Sequence, residues 1–487
     1  MFMNPLLACD FYKVGHVFQY PENTTLVYSN LTPRKSRIDG IGHMVFFGLQ
    51  YFIKDFLINQ FNNHFFQRPL SVAIDTYKSV IESGLGPNAI TYDHIAALHK
   101  LGYLPILIKA LPEGSRVPMR VPVLTVRNTL PEFYWLPNFF ETILSAQVWQ
   151  ACTSATLAYE FKKIFDEYAN ITVGDNSFCQ WQGHDFSFRG MSSLETACLS
   201  GAGHLLSFTG TDTIPALHFL NKYYNAPLDT LIGGSVPATE HSVMCAGGKD
   251  DEVGTFKRLI TEVYPSGIVS IVSDTWDLWD VLTKYAPYLK EEILNRDGKV
   301  VFRPDSGNPA DILCGDPNAP HGHPASLGVI EILWDVFGGS MSEKGYRLLN
   351  PKVGAIYGDS ITLERAKEIN QRLMDKGFAS TNWVAGIGSY TYQYNTRDTF
   401  GTAMKATYVE IGTESREIWK DPITDDGTKK SAKGLLRVLL DDNGDYVLQD
   451  QVSPAQEITG HLYPVFDDGK LLIDNTLSDI RARLWNK

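Results

Sequence analysis

Val300-Val301-Phe302-Arg303-Pro304-Asp305-Ser306-Gly307-Asn308-Pro309 is the stretch on which the fold turns. Three apolar residues, two of them β-branched, read as the end of a buried strand. They deliver a fixed cation and an anion two residues apart, so both can face one side, and a turn rich in Gly and Pro follows. The planar fork of Arg303 suits a phosphate. A carboxylate at Asp305 suits sugar hydroxyls or a metal-bound water, although the same two side chains would also make a plain structural pair at a strand end.

The texture recurs on both sides of this segment. Short, often apolar runs end in His184-Asp185-Phe186, Gly210-Thr211-Asp212, Glu240-His241, Ser273-Asp274, Tyr357-Gly358-Asp359-Ser360 and Gly386-Ile387-Gly388-Ser389, spaced with Arg303-Asp305 by roughly 27 to 54 residues. Helical patterns lie between them: one opening at Ser192-Ser193-Leu194-Glu195 with a capping-box spacing, one over Ile214 to Tyr224, one over Thr362 to Lys376. Seven strand-then-polar units predict a β/α barrel with its chemistry at the C-terminal strand ends. An open doubly wound sheet is the alternative, since its strands also end in polar loops.

Outside this region the pattern differs. Phe46 to Phe61 and Glu132 to Trp149 read as helices, and Leu104 to Ala110 and Val121 to Val126 as strands. After residue 400 the chain is β-rich again, with Thr402 to Ile411, Leu435 to Leu440, an Asp-Asn-Gly turn at Asp442 to Gly444 and a final amphipathic segment. The expected organisation is α/β: a β/α barrel-like domain over 151–400, and a discontinuous mixed α/β domain built from 1–150 with 400–487.

A length of 487 residues accommodates two large domains at about 150 residues or more each. With 44% hydrophobic and 20% charged residues the composition is that of a globular chain. The formal net charge of −12 argues against a protein that coats nucleic acid or an acidic membrane. Six cysteines with no CxxC spacing predict free thiols in a reducing compartment. With no signal-peptide pattern in Met1 to Asp10 and no run of 18 apolar residues, a cytoplasmic location is expected.

Several residues stand out chemically. Asp212 opens a helix, so it serves as an N-cap or, alternatively, accepts a hydrogen bond from a ligand amide; an ionised carboxylate there favours a neutral carboxamide over a carboxylate. Phe186 and Phe188, beside Arg189, offer a stacking face or ordinary packing. His241 is a structural histidine, a base or a phosphate-accepting nucleophile, and Asp274 could orient it. The turns at Gly358 and Gly388 allow backbone N–H groups to approach a phosphate. Basic residues cluster at Arg34, Lys35 and Arg37, at Arg397 and Lys405, and at Lys420, Lys429, Lys430 and Lys433. Cys314, His321 and His323 match no common metal spacing, so no protein-bound metal is expected.

Taken together, Leu7 to Val14, His184 to Ala197, Gly210 to Thr213, Ser235 to Ser242, Val272 to Asp274, Arg303 to Pro309, Gly358-Asp359, Thr396 to Asp398 and Lys420 to Pro422 resemble, in order and over nearly the whole chain, the nicotinamide phosphoribosyltransferase family of type II phosphoribosyltransferases. That resemblance implies a homodimer with active sites at the subunit interface. It implies that Phe186 and Tyr12 of the partner subunit sandwich a pyridine ring, with Asp10 in the same N-terminal segment, and that Asp212 binds the carboxamide. It further implies that Arg303 holds the substrate near its phosphates and amide, that Asp305 and Asp359 hold ribose hydroxyls, and that Gly358, Gly388 and Ser389 hold the 5′-phosphate. Arg189, Arg397, Lys405 and the partner's Arg34 would face the diphosphate, and His241 resembles the family's phosphorylated histidine, with Asp274 as its partner. Ser389 stands where the family usually has glycine, and Ala403 where it has serine.

The expected activity is transfer of the phosphoribosyl group of 5-phosphoribosyl 1-diphosphate to nicotinamide, giving nicotinamide mononucleotide for NAD salvage. Mg²⁺ would come with the diphosphate, and ATP would act as co-substrate. The alternatives are a nicotinate phosphoribosyltransferase and a non-catalytic binding or signalling protein on the same scaffold.

Overall fold

The computed structural model describes residues 3–424 and 430–485. The chain divides into two compact units: Met1–Thr156 with Phe219–Ala226 and Asn395–Lys487, and Leu157–His218 with Pro227–Tyr394. Phe219–Ala226, inside the span expected for the barrel, thus belongs with the first unit.

The first unit is built on a seven-stranded antiparallel sheet, in the order Glu414–Glu417, Ala403–Ile411, Thr24–Thr32, Leu124–Asn128, Ile106–Ala110, Tyr463–Asp467, Lys470–Leu471. The strand Thr24–Thr32, near the start of the chain, lies between one from the C-terminal third and one from the first third, so the two ends of the sequence share one sheet. The helical stretch read from the aromatic run Phe46 to Phe61 occupies Leu49–Phe66, and its buried Phe56 and Phe61 meet Phe140 edge-on. Leu435–Leu440 and Tyr446–Val452 form a hairpin around the Asp-Asn-Gly turn, as its spacing predicts.

The second unit holds a parallel sheet in the order Gly210–Thr211, Gly183–Asp185, Trp383–Ile387, Val353–Tyr357, Asp297–Arg303, Ser266–Val272. Helices cross between successive strands, as parallel pairing requires. Val329–Phe337 buries Val329, Ile330, Ile332, Leu333 and Phe337, and Leu363–Asp375 starts at Thr362, whose side chain accepts the N–H of Arg365. The helix Leu194–His204 is capped one residue later than the sequence spacing suggests, by Ser193 with Thr196 completing the capping box, while Glu195 sits in the first turn.

The two edge strands of this sheet are joined by one more stave. Segment 234–239 pairs in parallel with Gly210 at one end and with Ser270 at the other. Thr211 N–H donates to Gly234 O (2.9 Å), Thr239 N–H to Ser270 O (3.0 Å) and Ser270 N–H to Pro237 O (2.9 Å). The sheet is thereby closed into a ring of seven staves, and each ends in one of the seven polar clusters seen in the sequence. Pro237 has no N–H to give, which is why this stave is held by isolated bridges.

Candidate active site

Each stave of the ring stops where a charged or small polar residue replaces the apolar run, so the chemistry gathers at one mouth. The electrostatic neighbours of Arg303 are Asp305, Asp212, Arg189 and Asp274, and those of Asp305 are Arg303, Asp274, Asp359 and His241. Seven residues singled out in the sequence therefore form one charged group.

Arg303 ends the strand Asp297–Arg303. Its guanidinium donates to the carbonyl of Thr239, on the closing stave two places round the ring, while its buried Nε has no partner among the described residues. A buried donor without an acceptor is costly, so this side of Arg303 is suited to an incoming carbonyl or phosphate oxygen. Burial pulls the guanidinium below its ordinary value, against the favourable charges of Asp305 and Asp212. The turn that follows is locked by Tyr357, whose hydroxyl donates to Gly307 O (2.9 Å), and by Asn308, which caps the helix Pro309–Cys314.

Asp274 is buried. Its Oδ2 accepts the N–H of Asp305 (2.9 Å) and the hydroxyl of Ser306 (2.6 Å). Its Oδ1 lies 3.8 Å from His241 Nε2, and Asp305 Oδ2 lies 3.9 Å from the same nitrogen. The hydrogen-bond partner of His241 is instead Thr275, with Oγ1 at 3.1 Å from Nδ1. Asp274 thus fixes the Asp305 turn by direct bonds and faces the imidazole at ion-pair range. Burial pushes the Asp305 carboxyl above its usual range, with Arg303 opposing and Asp274 and Asp359 reinforcing.

Asp212 makes no helix cap; the N–H of Thr213 is taken by Thr211 Oγ1 (3.0 Å). The Asp212 side chain accepts from His184 Nε2 (2.9 Å) and Ser235 Oγ (2.5 Å). Burial disfavours its charge, but those two bonds, the imidazole and Arg303 outweigh it and hold the carboxyl below its ordinary value. Phe186 follows on the adjacent strand end, with its ring 4.7 Å from that of His184. Phe188 and Arg189 lie exposed in the next turn.

The glycine turns are unlike each other. A Cβ at Gly358 would lie 2.6 Å from Asp305 Oδ1, and one at Gly386 would lie 2.6 Å from Phe186 Cδ2 and 2.7 Å from Tyr357 O. A Cβ at Gly388 would meet nothing within 4 Å among the described residues. Ser389 fits because the residue opposite is Gly190, where a Cβ would lie 1.9 Å from the Ser389 hydroxyl. Asp359 is exposed, with Ser360 Oγ donating to it at 2.7 Å.

Tyr12, Asp10, Arg34, Arg397 and Lys405 lie in the other unit. There, buried Lys13 pairs with Glu141, and Lys405 Nζ lies 3.5 Å from the same carboxylate. Burial lowers the Lys405 ammonium, with Glu141 opposing and Arg34 and Lys13 adding to the lowering, so these cations are gathered around one acid. Arg34 Nε donates to Gly401 O (2.8 Å), Arg397 pairs with Asp398 (2.9 Å), Asp10 accepts from Thr142 Oγ1 (2.6 Å), and Tyr12 is 61% exposed. Ala403 is buried where its strand begins. Of the late basic cluster, Lys430 pairs with Asp421 and Lys433 with Glu417, and Lys429 lies outside the described residues.

His184, Ser235, Thr239, Thr275 and Ser306 were not singled out from the sequence as individual residues. Their only signal was position: each stands at, or within four residues of, the polar end of a stave. Among the described residues no group of His, Cys, Asp and Glu is spaced to hold a metal ion, and no helix is long and apolar enough to cross a membrane.

The profile of the nicotinate phosphoribosyltransferase (NAPRTase) family matches residues 181–459, and that of the nicotinamide phosphoribosyltransferase N-terminal domain matches residues 4–108. Nicotinamide phosphoribosyltransferase of Acinetobacter baylyi is 53% identical over 493 aligned residues, covering 99% of this chain and 97% of that protein. The protein of the same name from Mycoplasma pneumoniae is 37% identical, covering 88% and 94%. Among solved structures, nicotinate-nucleotide pyrophosphorylase from Pyrococcus furiosus superposes with a TM-score of 0.59 at 15% identity, over 99% of this chain and 95% of that one. Human nicotinic acid phosphoribosyltransferase superposes at 0.52 and 15%, over 98% and 92%. At such identity these two structures speak to the fold alone. The chain belongs to the nicotinate phosphoribosyltransferase (NAPRTase) family: it is a phosphoribosyltransferase, and it carries the nicotinamide phosphoribosyltransferase N-terminal domain.

Proposed function

We propose that this phosphoribosyltransferase joins nicotinamide to the ribose of 5-phosphoribosyl 1-diphosphate, forming nicotinamide mononucleotide and diphosphate for NAD salvage in the cytoplasm. The observation that carries the choice of pyridine is Asp212, an anionic carboxylate held by His184, whose ring packs on Phe186, and in the field of Arg303. It accepts the N–H of a neutral carboxamide and repels the carboxylate of nicotinate. Arg303, with its unpartnered Nε, serves the carboxamide oxygen and the phosphate side of the substrate.

The pyridine nitrogen brings its own lone pair, so the bond to ribose C1 forms without a general base. The barrier is departure of diphosphate through a cation-like transition state, and it falls through positioning and charge stabilisation. Asp305 and Asp359 hold the ribose hydroxyls, and the Gly358, Gly388 and Ser389 turns the 5′-phosphate. Arg189, Arg397 and Lys405 serve the leaving diphosphate, with Mg²⁺ bound mainly through its oxygens. The protein acts as a homodimer in which Tyr12, Asp10 and Arg34 come from the partner subunit. ATP hydrolysis through a phosphorylated His241, faced by Asp274, drives the forward reaction.

The test is formation of the corresponding mononucleotide from each pyridine, with and without ATP. Preference for nicotinate overturns the substrate assignment, and no product from either pyridine favours a binding role. Full ATP stimulation in His241→Ala overturns the histidine role.

A further inference from the structure

Asp212 is held as an anion with an acceptor to offer. Which of its oxygens it offers is settled by two neighbours. The strands Gly183–Asp185 and Gly210–Thr211 are adjacent and parallel, with His184 opposite Gly210. Parallel neighbours stand about 4.8 Å apart, so a histidine on one strand end reaches the residue just past the end of the next. It does so only because position 210 is glycine: a Cβ there would lie 2.7 Å from His184 Nδ1. From the other side, the closing stave brings Ser235 one residue past its bridge to Gly210. Both donors converge on the same atom, Asp212 Oδ1, at 2.9 and 2.5 Å.

The geometry points to His184, assisted by Ser235, as a positioning residue that sets the choice between the two pyridines: by filling Oδ1 it turns Oδ2 of Asp212 toward the ligand as the single free acceptor. This rests on the nicotinamide reading and deepens it. An Oδ1 already carrying two donors leaves the carboxylate unable to rotate without breaking both bonds, so the ligand meets a fixed acceptor. The fixed anion also stays apart from Arg303, whose charge it feels. Released from His184, Asp212 is free to swing onto that guanidinium. The pocket would then present a neutralised pair, and an anionic ring substituent would no longer be repelled. The His184 side chain is 12% exposed and also packs on Phe186, so it is held in place from two sides.

The test uses the full-length protein with both pyridines at saturating 5-phosphoribosyl 1-diphosphate. His184→Leu keeps the bulk and loses the donor; we expect the nicotinamide KM to rise about tenfold with kcat within about twofold, and the nicotinamide-to-nicotinate ratio of kcat/KM to fall by about tenfold. His184→Gln, which can still donate, restores the ratio to within about threefold of the parent. Ser235→Ala moves the ratio in the same direction by a smaller factor, and it carries the test if His184→Leu does not fold. Equal losses on both pyridines, a loss confined to kcat, an unchanged ratio or no rescue by Gln overturns the inference. If the parent protein itself prefers nicotinate, it is the substrate reading that fails, and this inference with it; a nicotinamide preference that survives every variant overturns this inference alone.

Discussion

Two glycine turns sit on neighbouring staves of the ring, and their three glycines are glycine for different reasons. At the ends of Val353–Tyr357 and Trp383–Ile387, Gly358 and Gly386 are demanded by the protein: a side chain at either would strike Asp305, Phe186 or the backbone. Gly388, two residues beyond Gly386, faces open space and has φ of −96°, which any residue adopts. Nothing in the fold requires it to be glycine. A glycine demanded by packing reports on the scaffold; a glycine without such a demand, at a phosphate-type turn, reports on a ligand that must come close to the backbone.

Substitution by alanine should separate the two. Gly386→Ala has the largest expected effect, because two of its three close neighbours are backbone atoms that cannot step aside. A loss of about 1–3 kcal/mol of stability is expected, read as a lowered Tm, together with a raised nicotinamide KM as Phe186 is displaced. An unchanged Tm would refute the packing account.

Gly358→Ala comes next. Its one close neighbour is the end of the Asp305 side chain, which can move, so Tm should fall less while kcat/KM drops by about tenfold. This variant also has a pH signature. Burial is what raises the Asp305 carboxyl, and pushing it toward water lowers it again. If ionised Asp305 holds the ribose, the acid limb of the kcat/KM profile should move to lower pH. A limb that stays in place removes Asp305 from that role.

Gly388→Ala should leave Tm within about 1 °C of the parent, since no contact is added, yet raise the KM for 5-phosphoribosyl 1-diphosphate about fivefold. An unchanged KM would take the 5′-phosphate away from this turn. Ser389→Gly is expected to be the mildest, within about twofold in kcat/KM, because the serine hydroxyl lies in the space left by Gly190 and points away from any need of the backbone.

Much of this molecule was legible in its sequence because the ring's chemistry is local. An apolar run followed by a charge marks a stave and its polar end at once, and that picks out Arg303, Asp305, Asp274, Asp359, Asp212 and His241, which the structure brings into one charged group. What could not be read depends on which stave lies beside which. His184 reaches Asp212 only through the pairing of two strands 26 residues apart in the hydrogen-bond pattern of Asp185 and Thr211. Likewise Thr275, not Asp274, takes the hydrogen bond of His241, a choice made by side-chain direction and not by spacing. The seventh stave carries Pro237 and a serine where a strand is usually apolar, so it was visible by its polar end and not by its body. The return of Phe219–Ala226 to the first unit left no mark, since Ile214–Tyr224 is one uninterrupted helix that passes from one unit's residues to the other's.

The closing stave has a mechanical meaning. Every other joint in the ring is a ladder of paired residues, whereas 234–239 is fastened at two points. If the ring breathes, this is its seam. At one end of the seam is the hydroxyl that secures Asp212, and immediately past the other are Glu240 and His241. The most lightly paired stave of the ring therefore carries both the Ser235 contact to Asp212 and the histidine proposed to receive phosphate. Amide exchange at Gly234 and Thr239 should outpace exchange at Val301 and Ala355, in the ladder between Asp297–Arg303 and Val353–Tyr357.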